Sequence, residues 1–106
     1  MKKVTKMAAQ GDLLIRRIDI LPRQAKAAEG LVVAHSETGH HHVVVGNARR
    51  YTSANPLVGY LVATESVDVE HHREWDTHET LVLEEGIYEI RRQREYVPGG
   101  WRQVVD

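Results

Sequence analysis

At 106 residues, with 14 Lys+Arg against 15 Asp+Glu and a formal charge of −1, the chain has room for one domain. It lacks the basic surplus that phosphate-tracking nucleic-acid binders carry. It has no cysteine, which excludes disulfides and thiolate metal sites, and its apolar runs are too short for a membrane-spanning helix.

Met1 to Gln10 carries three lysines and no apolar signal core, so residues 1–9 read as a flexible basic leader before a single β domain at 10–106, with a cytoplasmic location as the default. Asp12 to Ile18 reads as a strand entered through Gly11. Pro22 breaks that pattern, and the alanine-rich stretch Arg23 to Glu29 predicts one or two helical turns ended by Gly30. Leu31 to Ala34 is β-like. The polar stretch from His35 with Gly39 predicts a turn or bulge that leads into a strand through Val43-Val44-Val45. Arg49–Thr52 and Gly59–Thr64 follow as strands, the second continuing towards Val69. Glu70–Thr77 reads as a polar loop, Thr80–Leu83 as a strand and Glu84–Gly86 as a turn. From Ile87 to Tyr96 the pattern alternates, with Tyr88 and Ile90 on one side and Glu89, Arg91 and Gln93 on the other. Pro98-Gly99-Gly100 predicts a hairpin turn before a closing strand at Trp101–Val105. The expected fold is therefore mainly β: a small single-domain barrel or sandwich with at most one short helix.

Six of the seven histidines fall in two groups: His40, His41, His42, and His71, His72, His78. On a strand, His40 and His42 share a face and His41 takes the other. Positions i and i+2 lie roughly 6.5–7 Å apart, from which two imidazoles converge on one metal with bonds of about 2.0–2.1 Å. His78, just before a predicted strand, is the candidate third ligand, and His72 is a candidate fourth. Imidazole suits several divalent transition metals, zinc first among them. Three histidines would leave a position open for water, substrate or a small anion. Glu37, Glu79 and Tyr96 are the candidate catalytic residues: Glu37 as a carboxylate orienting a ligand's second nitrogen, Glu79 beside His78, and Tyr96, with Gln93 and Glu95, as a substrate contact. His35 reads as structural, and His71 as solvated.

Several segments together resemble a group of short, uncharacterised bacterial and phage proteins. They are Gln10-Gly11-Asp12, Leu21-Pro22, Ser36-Glu37-Thr38-Gly39-His40-His41-His42, His78-Glu79, Gly86-Ile87-Tyr88 and Gln93-Arg94-Glu95-Tyr96. In that group the outer histidines of Gly-His-x-His are the regular ones, which maps the role onto His40 and His42. The group also tends to carry a histidine shortly before the one matching His78; here Trp75 stands at that spacing and His72 is the nearest. The His-x-His pair with a later histidine also resembles the cupin barrels in a general way, but Val43 to Gly46 supply no glutamate after the pair.

Three readings of function follow. One is a metal-dependent hydrolase- or lyase-type enzyme on an open three-histidine site, whose metal-bound water serves as nucleophile. A second is a binding module closed around a structural metal. The third is a metal-free interaction module, a phage or bacterial accessory protein that pairs through strand edges into a homo-oligomer. The first two imply a divalent metal, and the first a small-molecule substrate.

Overall fold

β-Branched runs separated by Gly, Pro, Asn and Ser produce short strands with abrupt corners. The computed structural model describes residues 2–10, 13–30, 32–35, 41–72, 77–92, 94–97 and 100–103, with backbone alone at 2, 32–35, 41, 71–72, 77–79, 94–97 and 100–103. In chain order the strands are β1 (Lys2–Val4), β2 (Met7–Gln10), β3 (Leu13–Ile18), β4 (Lys26–Ala28), β5 (Val32–His35), β6 (His41–Val45) and β7 (Ala48–Thr52). They continue with β8 (Val58–Ala63), β9 (Val67–His72), β10 (Thr77–Leu83), β11 (Gly86–Arg92), β12 (Arg94–Val97) and β13 (Gly100–Gln103).

Two sheets form, in the orders β1-β10-β9-β6-β5 and β2-β3-β11-β8-β7-β4, and β12 pairs with β13 alone. All pairings are antiparallel except β1 with β10. Both large sheets end in edge strands, so the architecture is a β-sandwich, and the barrel alternative, cupin-like or otherwise, is set aside. The chain changes sheet at short corners. Gly46-Asn47 joins β6 to β7, Thr64–Ser66 joins β8 to β9, and Glu84-Glu85 joins β10 to β11. The first two corners are laced together: the Thr64 backbone N–H and hydroxyl both donate to the Asn47 carbonyl at 3.2 Å, and Asn47 Nδ2 donates to Glu65 Oε1 at 2.7 Å. Gly46 has φ +128°, and a Cβ there would lie 2.7 Å from Val67 Cγ1. This corner therefore requires glycine both for its backbone and for its space.

One apolar cluster fills the space between the sheets. Val4, Val44, Val67, Val69, Leu81 and Leu83 come from the five-stranded sheet; Ala8, Leu13, Ile15, Leu61, Ala63, Tyr88 and Ile90 come from the six-stranded one. Period-two alternation puts these residues inward and their neighbours outward. Tyr88 is fully buried, and its hydroxyl donates to the Glu84 carbonyl at 2.8 Å. Burial holds its phenol above the usual value, while the Arg17 guanidinium, 6.0 Å from the ring centre, pulls the other way.

Several stretches depart from the sequence reading: residues 70–72, read as loop, end β9, and the run 87–96 divides between β11 and β12. Residues 2–10, read as a loose leader, form β1 and β2, with Val4 and Ala8 inside the core. Burial alternates along them, with Val4, Ala8 and Gln10 inside and Lys3, Thr5, Met7 and Ala9 outside, and this pattern outweighs the basic composition. The helix expected at 23–29 is a turn followed by β4, where Ala27 pairs with Tyr51 and Ala28 with Arg50. Alanine's helix preference amounts to a few tenths of a kcal/mol per residue, less than a ladder of cross-strand bonds. Finally, the run from Gly59 to Val69 is two strands in different sheets, broken at Thr64–Ser66.

Candidate functional site

The histidines that the sequence singles out are distributed by the strand register. His42 pairs with His71 and His71 with His78, so the three occupy one line across β6, β9 and β10; His35, His41 and His72 occupy the next. His78 is inside β10, where a bulge separates it from Leu81. His72 belongs to β9 rather than to a loop. Glu79 lies at the bulge of β10 and Tyr96 in β12. The side chains of His71, His72, His78, Glu79 and Tyr96 are outside the described set, and His40, Glu37 and Gln93 lie outside the described residues altogether.

His42 is fully buried and is held by the core. Its Nδ1 meets Gln10 Oε1 at 2.9 Å, and Gln10 Nε2 donates to the Val69 carbonyl at 2.8 Å. Because the amide nitrogen of Gln10 is committed to that carbonyl, its oxygen must accept, and the proton therefore sits on His42 Nδ1. The chain Val69–Gln10–His42 ties β2 of one sheet to β6 and β9 of the other. It is a structural polar link that satisfies buried groups where the core would otherwise leave them bare.

This overturns the metal reading. Among the described residues no group of three or more His, Cys, Asp or Glu side chains could hold a metal ion. The one expected ligand whose side chain is described, His42, is packed in the interior and bonded to Gln10. The expected zinc centre on His40, His42 and His78, and the enzyme built on it, are corrected accordingly. The i, i+2 argument identified residues on one strand face without revealing that this face is the core.

A different surface stands out on the six-stranded sheet. Its outer face carries two continuous rows: Arg16, Glu89, Tyr60, Tyr51, and Ile18, Ile87, Val62, Arg49. Leu14 and Arg91 form a further pair on the same face. Tyr51, Tyr60, Val62, Ile87, Ile18 and Leu14 are half-buried on a face turned away from the core. Glu89 is shared by Arg16 Nη2 at 3.3 Å and Arg91 Nε at 3.4 Å. The outer face of an ordinary surface sheet is polar, whereas here apolar and tyrosine side chains are interspersed with arginines and one glutamate. The Glu89-Arg91 alternation was legible in sequence, but the tyrosines came from strands whose register only the fold supplies.

Residues 9–93 match the family described as a domain of unknown function (DUF8820). The chain belongs to this family. The matched segment runs from within β2 to just past β11, so it takes in both sheets except for β1. The family's description carries no activity and no phage origin. No curated protein and no solved structure matches the chain. Among the described residues no helix is long and apolar enough to cross a membrane.

Proposed function

We propose that the domain is a non-catalytic interaction module that docks a protein partner on the outer face of its six-stranded sheet. The observation that carries this reading is the composition of that face. Tyr51, Tyr60, Val62, Ile87, Ile18 and Leu14 give it a large apolar and aromatic share, and Arg16, Arg49 and Arg91 stand among them with Glu89 as the acidic member of these rows. Tyrosine and arginine are the residue types over-represented in protein interfaces, because each offers a large contact area with a polar handle. The arginine surplus selects a partner whose rim is acidic. It also disfavours a second copy of the same face, which would set arginine against arginine.

The test is a photo-crosslinking amino acid placed at position 60 or 51 and, as control, at the exposed Val45 of the other sheet, in cells of the source organism. One partner trapped at 60 and 51, through an acidic segment, and lost with Arg91→Glu supports the reading. Equal trapping at 45, or none at 60 and 51, sinks it.

A further inference from the structure

Both large sheets end in edge strands, and β2 is an unguarded one. Lysines and shortness are common protections of an edge against further pairing. β1 has both, with Lys2 and Lys3 in three residues, and so does β4, three residues opened by Lys26. The side chains of β5 lie outside the described set. β2 is Met7-Ala8-Ala9-Gln10, without charge, proline or bulge.

The ladder with β3 fixes where the backbone of β2 points. The Arg17 N–H donates to the Lys6 carbonyl at 2.8 Å. The register continues as Met7 opposite Arg16, Ala8 opposite Ile15, Ala9 opposite Leu14 and Gln10 opposite Leu13. In an antiparallel ladder bonded and non-bonded pairs alternate. Lys6, Ala8 and Gln10 therefore bond to β3, and the N–H and C=O groups of Met7 and Ala9 point to the open edge. Among the described residues no strand pairs with that edge. The side chains of Met7 and Ala9 are exposed as well, Met7 at 55%. Each of these two residues thus offers a backbone donor and acceptor with an apolar side chain beside them.

We propose that β2 is a homodimer seam: two copies of the chain pair antiparallel along it about a two-fold axis at Ala8, joining their six-stranded sheets into one. The occupant is a second copy because the edge is complementary to itself. In this register Met7 exchanges both backbone bonds with Ala9 of the second copy, and Ala9 does so with Met7 of that copy. On the outer face a long side chain then lies against a small one. Ala8 meets Ala8, small enough for the backbones to close, and Lys6 stands opposite Gln10, so no like charges oppose each other. Arg16, next to Met7 in its row, is followed across the seam by Ala9 and Leu14 of the second copy. Lys3 of the adjacent edge strand β1 is neutralised by Glu84. The seam does not rest on the partner docking proposed above, because it sets two outer faces side by side rather than against each other.

The seam is short, so the association is weak. Small-angle scattering of the chain at up to about 1 mM, which reaches a millimolar Kd, should show a dimer. Ala9→Pro removes a donor that points to the open edge and leaves the bonds to β3 in place. It should raise the dimer Kd by about tenfold or more, whereas Val45→Lys, on the exposed face of the other sheet, should leave it unchanged. Because the chain has no cysteine, introduced thiols read the register directly. Met7→Cys and Ala9→Cys proteins, mixed under mild oxidation, should crosslink about tenfold faster than Met7→Cys mixed with Val45→Cys. All three positions are exposed, so this readout stands even where Ala9→Pro fails to fold. A chain that stays monomeric at about 1 mM, a dimer indifferent to Ala9→Pro, or crosslinking no faster at 9 than at 45 overturns the proposal.

Discussion

The Gln10–His42 link and the corner at Arg50 both bury polar side-chain atoms, and they treat them in opposite ways. At the link, His42 Nδ1, both polar atoms of the Gln10 amide and the Val69 carbonyl form one bonded chain that crosses from sheet to sheet. At the corner, Arg50 Nε is buried with no acceptor and an open cavity lies in front of it. A buried polar group with its partners in place belongs to the stability of the fold. His42, from the most conspicuous motif in the sequence, therefore leads into the core, while the buried donor without an acceptor belongs to Arg50, which is part of no motif.

The comparison can be broken in several ways. His42→Ala removes one end of the link, opens a cavity and strands the Gln10 oxygen; urea unfolding should register a loss of about 3 kcal/mol. Gln10→Leu alone should cost about 2 kcal/mol by leaving the imidazole N–H bare. The double variant Gln10→Leu/His42→Leu should be less destabilised than the sum of its singles, because the bond between the two side chains is lost only once. Strict additivity in that cycle would mean the link is not one unit. Tyr88→Phe, which removes only the bond to the Glu84 carbonyl, should cost about 1 kcal/mol. Arg50→Met should change stability by less than about 1 kcal/mol, since the lost bond to the Glu29 carbonyl is offset by relief of the buried Nε. A loss as large as that of His42→Ala would show the corner to be structural after all.

The smallest effect belongs to the surface. Lys3 and Glu84 form an ion pair that joins β1 to the end of β10. Lys3 holds the Glu84 carboxyl below its ordinary 4.5, chiefly by a direct hydrogen bond. Glu84 in turn raises Lys3 above 10.5. The depressed carboxyl contributes stability that is present above pH 4.5 and lost as pH falls through its lowered folded value. The raised amine contributes below pH 10.5 and loses that contribution as pH rises through its folded value. Both groups are solvent-exposed, so Glu84→Gln should flatten the acid limb of the stability profile only slightly, in low salt.

Much of the fold was legible, because alternation and turn residues are local signals. β3 and β7 fall close to the runs that predict them, β10 and β11 overlap theirs, and a mainly β barrel or sandwich follows from their number. The strands that escaped are those whose local composition points elsewhere: lysine-rich β1 and alanine-rich β4, each held by pairing with a strand distant in sequence. The site was less legible. His40, His42 and His78 carry a pattern that fits a metal, yet whether a strand face looks into a core or into a cleft depends on what packs against it. For His42 that is Gln10, a residue the sequence offered only as the start of a motif. Arg50 and Arg92 lie on strands with β8 between them and show no spacing rule; only the pairing of β7 with β8 and of β8 with β11 brings them to one cavity.

The exchange of the chain between sheets also has a kinetic side. β1 lies parallel to β10, Lys2 opposite Leu81 and Val4 opposite Leu83, although nearly the whole domain separates them in sequence. Parallel pairing of such distant segments must pay for closing the intervening loop before it gains anything. During synthesis β1 emerges well before its partner, and until β10 arrives Val4 has no complete core to enter. Folding should accordingly be slow for a chain of this length, with the first strand docking as its closing event.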